Sequence, residues 1–125
     1  GAAMTRRMPP PPAELAEFSA VLSPEELFKL VSEHGGTRIY IPETLNQGRE
    51  LVRLLGRDAA ARLVERFGKG RLNIPVARHW RIRVLKEHQG RSYAEIAREL
   101  RITEGAVYRN LHAARLTASQ PDLFG

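Results

Sequence analysis

At 125 residues the chain has room for one ordinary domain or two small ones, too little for a catalytic domain with a separate reader. It contains no Cys, which excludes disulfides and thiolate metal sites and fits a reducing cytoplasm, and no apolar run nears the ~20 residues that span a bilayer. The net charge of +6 is uneven: residues 76–125 hold 9 Lys+Arg against 5 Asp+Glu, residues 1–75 hold 11 against 9, so the excess that attracts a polyanion sits toward the C-terminus.

In chain order, Pro9 to Pro12 form a proline run that favours an extended conformation, so residues 1–12 are expected to be a disordered tail or stiff spacer. A first helix is expected over Ala13 to Val21. The second is better marked: Ser23 is an N-cap, Pro24 sits at the first helical position, Glu26 completes a capping box and Gly35 ends it. Ile39 and Ile41 then alternate with Arg38 and Tyr40 as a half-buried strand requires, and Pro42 stops it. Helices over about Leu45 to Leu55 and Asp58 to Phe67 follow, separated by Gly56.

The same grammar then returns. Placing Gly68 on Gly35, an offset of 33 residues, superposes Leu63 on Leu30, Val64 on Val31, Arg71 on Arg38, Leu72 on Ile39, Ile74 on Ile41 and Pro75 on Pro42. Such a period also suggests ankyrin repeats, but two copies are too few for a solenoid and the ankyrin turn signature is missing. Each strand is too short to stand alone, so it must pair with its sister in the same chain or with a second chain.

A helix over Val76 to Gln89 is expected next, with Trp80 in the core and Arg78, Arg81, Arg83 and Lys86 largely on the other side. It opens a three-helix unit whose remainder reads as a helix-turn-helix. Ser92 and Glu95 form a capping box, Ala97 is the small residue at the helix crossing, Thr103 caps the second helix, and Ile96, Leu100, Ile102, Val107 and Leu111 supply apolar contacts. The turn carries Arg101 where Gly is usual, a place where a side chain costs about 1 kcal/mol. The fold class is therefore mainly α, with short β-strands ahead of a helix-turn-helix domain over residues 76–118 and a tail over 119–125.

Such a motif points to duplex DNA. The exposed start and outward face of its second helix offer Thr103, Glu104, Gly105, Tyr108, Arg109 and His112 to base edges, with Arg109 suited to guanine, Glu104 to a cytosine amino group and Tyr108 to a phosphate or thymine methyl. Arg78, Arg91, Arg98 and Arg115, with Ser92 and Thr103, are expected to hold phosphates. His34, His79, His88 and His112 lack ligand spacing and no Ser, His and carboxylate form a recognisable nucleophile motif in sequence, so neither enzyme activity, metal nor cofactor is expected. A protein-interaction module that uses the motif on polymerase or another protein is the alternative.

Three elements occur together in order: the Gly35-Gly36-x-x-x-Tyr40-Ile41-Pro42 strand with its sister from Gly68 to Pro75, the Leu54-Leu55-Gly56-x-x-Ala59-Ala60-x-x-Leu63 helix pair, and the helix-turn-helix. From about residue 27 to 112 the chain thereby resembles the Mor family of transcription activators, the middle-operon regulators of Mu-like phages. The resemblance implies a cytoplasmic phage or prophage activator, an intertwined homodimer whose dimerisation domain spans 13–75, and recruitment of RNA polymerase to a promoter. It implies a DNA-fitting role for the strand residues Gly35, Gly36, Arg38 and Tyr40, or for Gly68, Arg71 and Asn73 in the sister; this chain departs from the pattern at Lys69, Asn73 and Arg101. Tyr93-x-Glu95-Ile96-Ala97 and Leu111-x-x-Ala114-Arg115 also resemble the promoter-reading region of sigma factors, although the helix–strand repeat is foreign to that family. Finally, Gln120-Pro121-Asp122-Leu123-Phe124 resembles the peptide with which bacterial proteins dock on the sliding clamp, Gln120 hydrogen-bonding and Leu123 and Phe124 filling an apolar pocket.

Overall fold

The structure, a computed structural model, describes residues 7–119, with side chains as far as residue 113. It is mainly helical, with one two-stranded antiparallel sheet, and divides into two compact units: residues 10–77, and residues 7–9 together with 78–119.

In the first unit a 3-10 turn over Ala13–Leu15 leads into α1 (Ala16–Ser19), followed by α2 (Pro24–His34), β1 (Arg38–Ile41), a 3-10 turn over Leu45–Gln47, α3 (Arg49–Leu55), α4 (Arg57–Phe67) and β2 (Gly70–Asn73). The expected capping box of α2 is formed: Glu26 N–H donates to Ser23 Oγ at 3.2 Å and Ser23 N–H to Glu26 Oε1 at 2.9 Å, an arrangement worth about 1 kcal/mol. Arg62 on α4 reaches across to donate to Val21 O at 2.7 Å and Glu26 Oε1 at 2.8 Å. Burial works to raise the Glu26 pKa, but the Ser23 N–H and the Arg62 guanidinium outweigh it and hold the carboxyl below its ordinary value. Leu15, Leu27, Leu30, Val31, Ile41, Ala60 and Leu63 are fully enclosed between these elements, and Phe18 lies against Phe67 with ring centroids 5.4 Å apart. The helix expected from Leu45 begins only at Arg49, because Gly48, with φ −100° and ψ 41°, is not helical and separates the 3-10 turn from α3.

The two strands pair with each other inside one chain. Arg38 faces Asn73, Ile39 faces Leu72, Tyr40 faces Arg71 and Ile41 faces Gly70. Because Leu72 is Ile39 shifted by the repeat, the register places a pseudo-two-fold axis between those two residues. The strand ends obey it. Gly35 N–H donates to Val31 O at 2.8 Å as Gly68 N–H does to Val64 O at 2.7 Å, while Gly36 N–H donates to Ile74 O at 2.6 Å as Lys69 N–H does to Ile41 O at 2.8 Å. The internal repeat is thus a structural repeat, and each strand finds its partner without a second chain.

The second unit holds α5 (Arg78–Arg83), a π-helical turn over Val84–His88, α6 (Tyr93–Leu100) and α7 (Glu104–Ser119). α5 starts two residues later than the sequence suggests, since Ala77 takes a left-handed φ of 46° that cannot continue a helix. In the π turn Gln89 N–H reaches back five residues to Val84 O at 3.0 Å. Trp80, Ile82, Val84, Leu85, Ile96, Ala97 and Val107 form the core, whereas Leu100, Ile102 and Leu111 are half-buried. The proline tail needs correcting at one residue: Pro9 is buried and its carbonyl accepts from Trp80 Nε1 at 3.0 Å. A buried indole N–H must find an acceptor, and this one lies 71 residues away in sequence.

Candidate nucleic-acid interface

Both helices of the motif begin on the caps read from the sequence. Glu95 N–H donates to Ser92 Oγ at 3.1 Å and Ser92 N–H to Glu95 Oε1 at 2.8 Å; that backbone donor, more than any charge, holds the exposed Glu95 carboxyl below its ordinary value. Thr103 Oγ1 accepts from Ala106 N–H at 3.0 Å. Each hydroxyl still has its own proton to donate to a phosphate. Between the helices Arg101 adopts φ 58° and ψ 46°, the left-handed conformation that the absent Gly would have entered more easily, and Ile102 N–H closes the turn on Ala97 O at 3.0 Å.

On α7 the residues expected to face a groove are brought together: Glu104, Gly105, Tyr108 and Arg109 are exposed and His112 is half-buried one turn on. The Tyr108 ring stacks on His112 with centroids 3.9 Å apart and meets the edge of Tyr93 at 6.1 Å. His112 Nδ1 lies 2.8 Å from Tyr108 O, which fixes the imidazole beneath the phenol. Lys86 Nζ stands 4.7 Å above the Tyr93 ring and donates to Arg91 O at 3.2 Å. Arg109 folds toward the start of α7 and lies beside Gly105.

The expected phosphate holders divide. Arg78 and Arg98 are exposed and make no ion pair among the described residues, so both guanidiniums are available to an anion. Arg91 is instead engaged with Glu99, Nη1 to Oε1 at 3.2 Å. The side chain of Arg115 lies outside the described residues, as do Gln120, Leu123 and Phe124. Sequence reasoning missed His79, whose Nδ1 lies 2.6 Å from Asn110 Oδ1 and ties α7 to α5. It also missed that Arg83 is spent on its own helix, donating to Glu87 at 2.8 and 3.1 Å, which raises the Arg83 pKa and lowers that of Glu87. Arg81 is half-buried, its Nε unpartnered among the described residues, and burial lowers its pKa.

In the first unit Arg38, Tyr40, Arg71 and Asn73 share the exposed face of the two-stranded ribbon, and Arg38 Nε donates to Asn73 Oδ1 at 3.2 Å. Gly35 and Gly68 have a different place: a Cβ on Gly35 would stand 2.5 Å from Val31 O, and one on Gly68 would overlap Val64 O, so both are required by the helix ends. Gly36 is exposed, with a φ of 84°.

Among the described residues no group of His, Asp and Glu is placed to hold a metal ion, and no helix is long and apolar enough to cross a membrane. Residues 84–117, from the π turn through α6 into α7, match the family described as Sigma-70, region 4. No curated protein and no solved structure matches the chain.

Proposed function

We propose that this chain is a sequence-specific DNA-binding transcription regulator that reads duplex DNA with α7. The observation that carries the proposal is the doubly capped helix-turn-helix whose exposed α7 start presents Arg109, in the segment that matches Sigma-70, region 4. Arg109 donates to a guanine edge, Glu104 accepts from a cytosine amino group, and Arg78 and Arg98 fix the unit on phosphates. As part of the same proposal the regulator is a cytoplasmic activator of phage or prophage type, without enzymatic activity or cofactor, that binds a promoter as a homodimer and recruits RNA polymerase. That part draws on the likeness to the Mor family. Light scattering that finds a monomer of 14.1 kDa at tens of micromolar would remove the dimer.

The test of DNA reading is a gel-shift titration of wild type and Arg109→Ala on a site selected from randomised duplex and on random sequence. The substitution is expected to cost about 1–3 kcal/mol on the selected site and far less on random DNA, and affinity should fall steeply with salt. Equal losses on both DNAs would defeat the base contact. A second reading, that the motif docks on polymerase or another protein, is favoured by the Sigma-70, region 4, match, and it predicts DNA retention with little salt dependence. The tail proposal is separate: a fluorescent peptide of residues 116–125 should bind the sliding clamp, and a Leu123→Ala, Phe124→Ala peptide should not.

A further inference from the structure

We infer that Gly105 is a positioning residue for Arg109: its missing side chain leaves the space in which the Arg109 guanidinium lies along the first turn of α7, and so sets which base edge the guanidinium reaches. The inference rests on the DNA-reading proposal above and deepens it.

A side chain in a helix leans toward the N-terminus and covers the residue one turn earlier, so residue 109 covers residue 105. The structure shows this directly. A Cβ on Gly105 would stand 3.1 Å from Arg109 Nη1, 3.9 Å from its Cζ and 3.9 Å from Thr103 Oγ1. The first of these is tighter than ordinary van der Waals contact, so any side chain at 105 pushes the guanidinium aside. Nothing else in the structure asks for Gly here. The residue is exposed, it lies within a helix, and its φ is not among the positive ones. Gly is a poor helix former, so the chain gives up helix stability at this position, and what it gains in the free protein is room for Arg109.

The consequence differs between free and bound protein. In the free chain the guanidinium is the far end of a flexible side chain and moves a few tenths of an ångström at little cost. On DNA its planar fork must match two guanine acceptors at once, and the same displacement lengthens and misaligns that pair of hydrogen bonds. Gly105→Ala is therefore expected to leave folding intact and to weaken only the sequence-specific part of binding.

The experiment is a double-mutant cycle on the full chain, with Gly105→Ala, Arg109→Ala and the double variant titrated against the selected site and against random duplex, and a thermal melt of each. Gly105→Ala should lose about tenfold on the selected site and nothing on random DNA, with Tm unchanged or raised by a few degrees. In the Arg109→Ala background it should cost nothing further. An equal loss in both backgrounds would overturn the inference, because the new methyl would then be obstructing DNA itself, and so would wild-type affinity in the single variant. A wild-type chain that shows no preference for any duplex would overturn the DNA-reading proposal together with this inference, whereas a retained preference with additive losses would overturn this inference alone.

Discussion

Gly35→Ala should be among the most damaging small substitutions in residues 10–77, although it adds one methyl group. The new Cβ would lie 2.5 Å from Val31 O and 3.1 Å from Pro75 O, and both are backbone atoms that cannot rotate away. Relief requires opening the end of α2, which breaks the 2.8 Å bond from Gly35 N–H to Val31 O, and shifting the chain beyond β2. A lost buried hydrogen bond costs about 1 kcal/mol and overpacking about 1–3, so the sum is about 2–4 kcal/mol. For a unit of this size that lowers Tm by about 10 °C or more, read by far-UV circular dichroism on the full chain. Gly70→Ala is the control, because its nearest neighbour, Phe67 O, is 3.5 Å away and its φ is not positive. Should the two variants melt within about 2 °C of one another, the helix end relaxes and the backbone argument is wrong.

Arg101→Gly relieves a left-handed residue at the helix-turn-helix corner and should stabilise the chain by up to about 1 kcal/mol in urea melts; a loss would show that the Arg101 side chain holds the turn. Trp80→Phe removes the donor to Pro9 O and should cost about 1–2 kcal/mol, and deleting residues 1–9 should cost nearly as much in wild type but almost nothing in Trp80→Phe. Glu26 and Glu87 have folded pKa values below the ordinary 4.5, so the stability they contribute is fully present above pH 4.5 and is lost as pH falls through the lower folded values. Arg62→Met should accordingly flatten the acid limb of a stability–pH curve, and an unchanged limb would remove Arg62 from the account.

What was legible in the sequence was whatever a few neighbouring residues decide. Both capping boxes formed as read, because Ser23 with Glu26 and Ser92 with Glu95 need only one turn of helix to meet. Trp80 was readable as core because a single large aromatic in so small a unit must be covered. The misses depend on partners distant in sequence. Nothing near Trp80 announces Pro9, nothing near His79 announces Asn110, and Arg91 lost its expected freedom to Glu99 on the following helix. The π turn escaped because helical periodicity does not distinguish a four-residue from a five-residue hydrogen bond over so short a stretch.

The repeat explains its own departures once the strands are seen to pair within the chain. Positions that face inward match in type between the copies: Leu30 with Leu63, Val31 with Val64 and Ile41 with Ile74, all buried. Tyr40 and Asn73 differ, and both are exposed, so the axis constrains their backbone without constraining their chemistry. Gly36 and Lys69 also differ in type yet adopt the same left-handed conformation, φ 84° and 67°, because each must donate across the axis to the other strand's end. Lys69 thus accepts backbone strain of about 1 kcal/mol to keep a pairing that Gly36 keeps freely. A strand satisfied in this way has no need of a second chain, so strand length is no argument for a dimer. Self-association must then rest on other surfaces of the molecule, and the melting of the ribbon should depend on concentration only as far as those surfaces associate.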